Sequence, residues 1–316
     1  MERREFLQKL IAAAAAGIAL TACSNKSSTQ AADSQPSEQS TEKQNRSNQK
    51  MKHMITIDRT RCIHCGLCIK DCTKGCFEFD AEKVLQFKGE GCMGCQHCMA
   101  ICPQGAISFD DKNPDNSVAF TTGNSDELLK MIKSRRSVRF YRDENLSAEH
   151  IAKIKEMLAY PPTGGNVDCL HFSFVSTKEK MAEIRALSDK LIINDKSGFP
   201  LYARLKDAAQ SGKDMVYRGA PAMVTVSVDK SRAVAGCVTV DPIIALSYLE
   251  LYAHSLGLGT LWDDCAQFVA NGFPEIRAML QIPEGYTVSF VLLLGLPAMK
   301  YSRGIQKDNH HFSIIS

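Results

Sequence analysis

Nine of the chain's 13 cysteines fall between Cys62 and Cys102, and eight of those repeat one spacing. Cys62, Cys65 and Cys68 stand two residues apart and Cys72 follows after three more; Cys92, Cys95, Cys98 and Cys102 repeat the run, with Pro103 next. Three thiolates in one tight loop face three corners of an iron–sulfur cubane, and a distant fourth closes the remaining corner. In paired runs of this kind the fourth cysteine serves the other cluster. The spacing therefore predicts two [4Fe–4S] clusters, one on Cys62, Cys65, Cys68 and Cys102, the other on Cys92, Cys95, Cys98 and Cys72. Zinc, which takes four ligands commonly as separated pairs, matches two identical runs poorly. Disulfides suit an exported chain, but cysteines this crowded cannot all pair without strain. Cys76 reads as core packing, His64 and His97 as bystanders, and Cys169, Cys237 and Cys265 as small core residues.

A second chemistry begins at Arg135-Arg136-Ser137-Val138-Arg139. Three guanidiniums and a hydroxyl at this spacing can converge on a phosphate through charge-assisted bonds. Alone the signal is weak, because basic residues also favour a helix C-terminus. It gains meaning from five segments further along the chain. These are Pro161-Pro162-Thr163-Gly164-Gly165-Asn166, then Gly219-Ala220-Pro221, then Leu256-Gly257-Leu258-Gly259-Thr260-Leu261-Trp262, then Ile282-Pro283-Glu284-Gly285, and finally Gly295-Leu296-Pro297 with Lys300 and Arg303.

Both regions resemble known families. Residues 54–110, ending in Cys102-Pro103-Gln104-Gly105-Ala106-Ile107, look like a bacterial two-cluster ferredoxin, although Thr73 stands where the first run usually carries proline. Residues 125–316 resemble the nitroreductase family of FMN flavoproteins. That resemblance implies an α+β fold: a three-layer α/β/α sandwich with a mixed, largely antiparallel sheet, in a homodimer with FMN at the subunit interface. It matches Arg135, Arg136, Ser137 and Arg139 to phosphate and flavin contacts, and Asn166 to an amide on the isoalloxazine edge. It matches Gly257, Leu258 and Gly259 to a loop lying against the ring, and Lys300 and Arg303 to a late basic pair near the phosphate. The family often continues Asn-x-Gln-Pro-Trp, whereas Asn166 is followed here by Val167, Asp168, Cys169 and Leu170. No side-chain catalyst is implied, since a flavin carries its own redox chemistry; His254 reads as a satisfied core histidine.

Patterning supplies the scaffold for these residues. Ser125-Asp126-Glu127 starts a helix, and Ser147 caps another with Ile151, Ile154 and Leu158 on one face. Residues 172–176, 223–228 and 287–294 read as strands. Asp241-Pro242 reads as the opening of a helix that ends at Gly257 and is apolar nearly all round, so its own domain or a partner subunit must bury it.

Residues 1–22 read as an export signal. Arg3-Arg4, Phe6 and Leu7 precede an apolar run from Leu10 to Leu20, too short to span a bilayer, and Leu20-Thr21-Ala22-Cys23 resembles a lipobox. The paired arginines resemble a twin-arginine signal. That route carries folded proteins, as a protein whose clusters are assembled in the cytoplasm requires. Cys23 is then the lipidated residue, residues 23–53 a polar tether, and 111–124 a linker between modules. The expected location is a membrane anchor with the protein facing the periplasm or the cell exterior. A net charge of +3 is too small to suggest nucleic-acid binding. The composite expectation is an oxidoreductase taking electrons from a low-potential donor protein or membrane redox component, through clusters and FMN, to a small oxidised organic molecule. Two rivals are an NAD(P)H-dependent nitroreductase with an accessory ferredoxin part and a non-enzymatic electron carrier.

Overall fold

Short, repeated pairing organises the first part of the chain. The computed structural model describes residues 53–308 and 311–315; the expectations for the signal, Cys23 and the tether lie outside the described residues. The elements run β1 (Ile55–Ile57), α1 (Leu67–Asp71), β2 (Phe77–Phe79), β3 (Leu85–Phe87), α2 (His97–Ala100) and β4 (Ile107–Phe109). β1 pairs antiparallel with β4, Ile57 opposite Ile107, and β2 with β3, Phe77 opposite Phe87. Each helix is entered through a left-handed residue, Gly66 (φ 73°) and Gln96 (φ 60°), which turns the chain sharply enough to bring the cysteines on either side together. Phe77, Leu85 and Ile107 are buried here among Cys68 and Cys76, with Cys62, Cys72, Cys92 and Cys98 packed around them.

The larger part contains α3 (Ser125–Ser134), α4 (Ala148–Met157), β5 (Leu170–Val175), α5 (Lys178–Asn194), α6 (Pro200–Gln210), β6 (Ala222–Asp229), α7 (Cys237–Ser255), β7 (Gly259–Trp262), α8 (Asp264–Gly272), α9 (Pro274–Met279) and β8 (Tyr286–Gly295). Its sheet has the order β5-β6-β8-β7 with every pair antiparallel; a parallel bridge joins Ser137 to Thr260. Successive strand residues point to opposite faces. Met223 and Leu293 enter one core with residues of α5, α6, α8 and α9, while Val224, Val226, Leu292 and Leu294 enter a second with residues of α4 and α7. Helices thus cover both faces and the α/β/α sandwich follows. A sheet buried on both sides explains why β6 reads as a near-continuous apolar run. Among the described residues no helix is long and apolar enough to cross a membrane.

α3 begins at Ser125 as the sequence reading has it, and Asn124 caps it, its side-chain oxygen accepting from the Asp126 and Glu127 amides at 3.0 and 3.1 Å. One helix start differs. α7 begins at Cys237, after left-handed Gly236, so Pro242 falls inside it and Asp241 is not its cap. Asp241 is buried, and its carboxylate accepts from the Gly164 amide, 3.1 Å from each oxygen. Ser147 caps α4 as expected, accepting from the His150 amide at 3.1 Å.

Candidate functional site

The two cysteine runs are interleaved in space. Cys62, Cys65, Cys68 and Cys102 line one cavity, and Cys72, Cys92, Cys95 and Cys98 line another. Each remote cysteine sulfur accepts an amide four residues on: Cys76 N–H donates to Cys72 Sγ at 3.4 Å and Ala106 N–H to Cys102 Sγ at 3.2 Å. At Cys72, against the effect of burial, the amide bond helps hold the thiol below its ordinary value, toward the thiolate that ligates metal. Four thiols line each cavity, the number of corners that a [4Fe–4S] cubane presents. Cys76 lines the second cavity as well, but burial first, and Cys72 beside it, push its thiol up to about 12. It stays protonated and points its sulfur at Glu90 O, 3.5 Å away, as a packing residue does. His97 lies beside Asp71 at 3.1 Å on the outside.

In the sandwich, a cleft of about 550 Å³ brings together Arg136, Gly257, Leu258, Gly259, Lys300 and Arg303. The turn at Gly257 (φ 79°) closes α7, Leu258 is buried, and Gly259 is the first residue of β7 rather than part of an extended loop. A Cβ at Gly259 would sit 2.6 Å from Val138 Cγ2, so glycine is what lets β7 and residue 138 approach. The segment carrying Lys300 and Arg303 lies close to the end of α3: a Cβ at Gly304 would come within 2.8 Å of Lys133 O. Arg136, Lys300 and Arg303 line the cleft together, three basic side chains that would draw an anion into it. The volume lies within the usual range for a small-molecule site, about 300–1,000 Å³. The residues present therefore fit a phosphate-bearing cofactor.

Four expected contacts are placed elsewhere. Arg135 pairs with Glu250 at 3.1 Å and lines a neighbouring cleft with Arg136. Ser137 is held by its bridge to Thr260, and Arg139 turns back to the Ser137 carbonyl at 3.2 Å. Asn166 is absent from the cleft's lining; it is left-handed (φ 54°), and its amide donates to Met93 O at 2.9 Å. His254 borders the cleft and hydrogen-bonds Ser134 Oγ at 2.9 Å; burial, with Arg135 and Arg136 nearby, holds its pKa below the ordinary value. It is neutral and satisfied, as a core histidine should be. The sequence reading missed Asp241 as the buried clamp of the glycine turn and Glu250 as the partner of Arg135. A buried carboxylate with no basic neighbour in sequence was the available signal.

Comparison with known proteins agrees with this layout. The model described as "Nitroreductase family" matches residues 132–296, about half of the chain, and that described as "4Fe-4S dicluster domain" matches residues 55–109. A protein named "Putative NADH dehydrogenase/NAD(P)H nitroreductase" from Methanothermobacter thermautotrophicus is 30% identical over 173 residues, 54% of this chain and 78% of its own length. A protein of the same name from Archaeoglobus fulgidus is 27% identical over 172 residues, 54% of this chain and 86% of its own. Among solved structures, a nitroreductase with bound FMN from Bacteroides fragilis superposes with a TM-score of 0.51 at 26% identity, covering 60% of this chain and 99% of that one.

Proposed function

The chain belongs to the nitroreductase family, and on that premise we propose that it carries electrons from two [4Fe–4S] clusters to FMN and on to a small oxidised organic substrate such as a nitroaromatic or a quinone. When bound, the clusters supply one-electron transfer and the flavin two-electron chemistry. The observation that carries the reading is the pairing of two four-cysteine cavities with a basic, glycine-walled cleft in one compact unit. Arg136, Lys300 and Arg303, which line the cleft together, would neutralise and orient the phosphate end. Gly257 and Gly259 keep side chains out of the wall on which the ring would rest. Neutral His254 adds no charge at that wall.

Several further features belong to the same proposal. α7 presents Val240, Ile243 and Tyr248 outward, 48%, 39% and 50% exposed, on the helix expected to be covered all round. A homodimer across that face would bury them. Export through a twin-arginine signal, lipidation at Cys23 and a membrane-attached location outside the cytoplasm complete the reading. There a covalently joined electron-transfer module would replace NAD(P)H as the source of electrons, with a low-potential protein or membrane component feeding it. Cys23→Ala should shift the protein from the membrane to the soluble fraction; unchanged fractionation would refute lipidation.

Anaerobic iron, sulfide and flavin analysis of the purified protein, with stopped-flow mixing against reduced viologen, tests the core of the proposal. About eight irons and one FMN per chain, with flavin bleaching that follows cluster bleaching, are expected. The relatives' printed name favours a second reading in which NAD(P)H reduces the flavin directly. Rapid bleaching by NADPH, undiminished in a Cys72→Ala variant, would select it.

A further inference from the structure

The two cluster loops have the same length but different surroundings. In the first, Cys62-Ile63-His64-Cys65, the residue after the leading cysteine is Ile63, which lines its cavity and is 59% exposed. In the second, Cys92-Met93-Gly94-Cys95, the equivalent Met93 also lines its cavity but is only partly exposed, and its carbonyl accepts a hydrogen bond from Asn166 of the sandwich at 2.9 Å. Asn166 is exposed, but its backbone is anchored. Gly164 and Gly165 precede it in a tight turn, with Gly165 left-handed as well (φ 64°). The Gly164 amide is held by Asp241, which is 2% exposed on α7. Room for the turn is set by close packing: a Cβ at Gly164 would lie 2.4 Å from Cys237 Sγ. An anchored chain thus runs from α7 through the glycine turn to a peptide carbonyl flanked by two cysteines of the second set.

We propose that Asn166 is a positioning residue that docks the Cys92–Cys95 loop on the reductase fold, making the second cluster the one through which electrons pass between the modules and leaving the first to face the external donor. The inference rests on the two-cluster, flavin-linked reading above. Its chemistry is conservative: no bond is made or broken, and each electron that leaves the second cluster is replaced by one from the first. Loop two needs an inward partner to hold a short transfer distance. Loop one, with Ile63 in solvent, is free to meet a partner.

The test uses the full-length holoprotein with two substitutions that tolerate the left-handed backbone at this position. Asn166→Gly removes the amide; Asn166→Asp keeps the shape, removes the donor and adds a charge. Hydrogen exchange in Asn166→Gly should accelerate about tenfold over residues 92–96, as expected for about 1.4 kcal/mol of lost docking, and stay unchanged over residues 62–66. In Asn166→Asp, EPR-monitored titration should show the second cluster's potential lowered and the first's nearly fixed. Viologen-driven flavin reduction should slow in both variants. Equal exchange in loop two, or equal potential shifts at both clusters, would overturn the docking role. Flavin release with unchanged loop exchange would assign Asn166 to flavin contact alone and overturn it too. Should viologen fail to reduce the flavin in the parent protein, the electron-path reading fails on its own, while exchange and potentials still report on docking.

Discussion

The ferredoxin-like module and the sandwich solve the problem of stability in opposite ways. The module's paired strands are three residues each, and its core interleaves Phe77, Leu85 and Ile107 with the cysteines themselves. A chain of that size buries too little apolar surface to be secure alone, so ligands that pin it from inside become part of its core. The sandwich has a sheet buried on both faces, with Ile154, Ile184, Leu246, Leu249 and Leu292 at 0% exposure. Its proposed cofactor lies in a cleft at the edge of that core, lined by the end of α7 and the late basic segment. Structure and chemistry are inseparable in one module and separable in the other.

Stripping the iron puts that contrast under the greatest load. Oxidative removal with a chelator should abolish hydrogen-exchange protection over residues 54–110 while residues 170–295 keep theirs. A module that stays protected would refute its dependence on metal. Next in size, Arg136→Ala with Arg303→Ala should release flavin. Each charge-assisted phosphate contact contributes about 1.5–3 kcal/mol, so the dissociation constant should rise about 10- to 100-fold per residue. The sandwich should keep its melting temperature in flavin-free form, and a large fall there would show that the cleft is structural after all.

Two smaller effects probe the sandwich core directly. Asp263 caps α8, accepting from the Ala266 amide at 2.8 Å, and burial raises its pKa from 3.8 to about 6. Between those values the folded state binds more protons than the unfolded, so this residue's contribution to stability falls as pH rises through the window. Asn also serves as a cap and does not titrate. The stability of Asp263→Asn relative to the parent should therefore climb from pH 4 to pH 6, by at most about 3 kcal/mol, then level off. A pH-independent difference would contradict the assignment. Gly259→Ala should lower stability by about 1–3 kcal/mol through overpacking against Val138, lowering Tm about 2–4 °C per kcal/mol. The visible absorbance of the module should not change.

Legibility in the sequence divides along the same line. The crossed cysteine sets could be read directly, because ligand spacing is the chemistry and leaves little for tertiary context to alter. The strands 222–229 and 286–295 were legible from their apolar runs. The start of α7 was not. Asp241-Pro242 carries a strong local start signal, but the helix is entered five residues earlier and the carboxylate is taken by Gly164 across the fold. β7 was hidden inside Leu256–Trp262 because two glycines read as a loop, and only the packing of Val138 explains the second. The contact between Asn166 and Met93 spans 73 positions in the chain. Local pattern carries no trace of such a contact.

The exchange of fourth ligands has a consequence for how the protein is put together. Under the proposed ligation neither half of the module would own a complete ligand set: Cys102 lines the cavity of the Cys62–Cys68 loop, and Cys72 that of the Cys92–Cys98 loop. Under the two-cluster proposal, whichever cluster is inserted first must draw both halves together, and it meets the whole entropic cost of closing the intervening chain. The second then enters a cavity already shaped. Loading should be all-or-none, with half-filled molecules scarce at every iron concentration. Under the export proposal, the chain would thereby present only two forms to any step that inspects it before export, empty or complete.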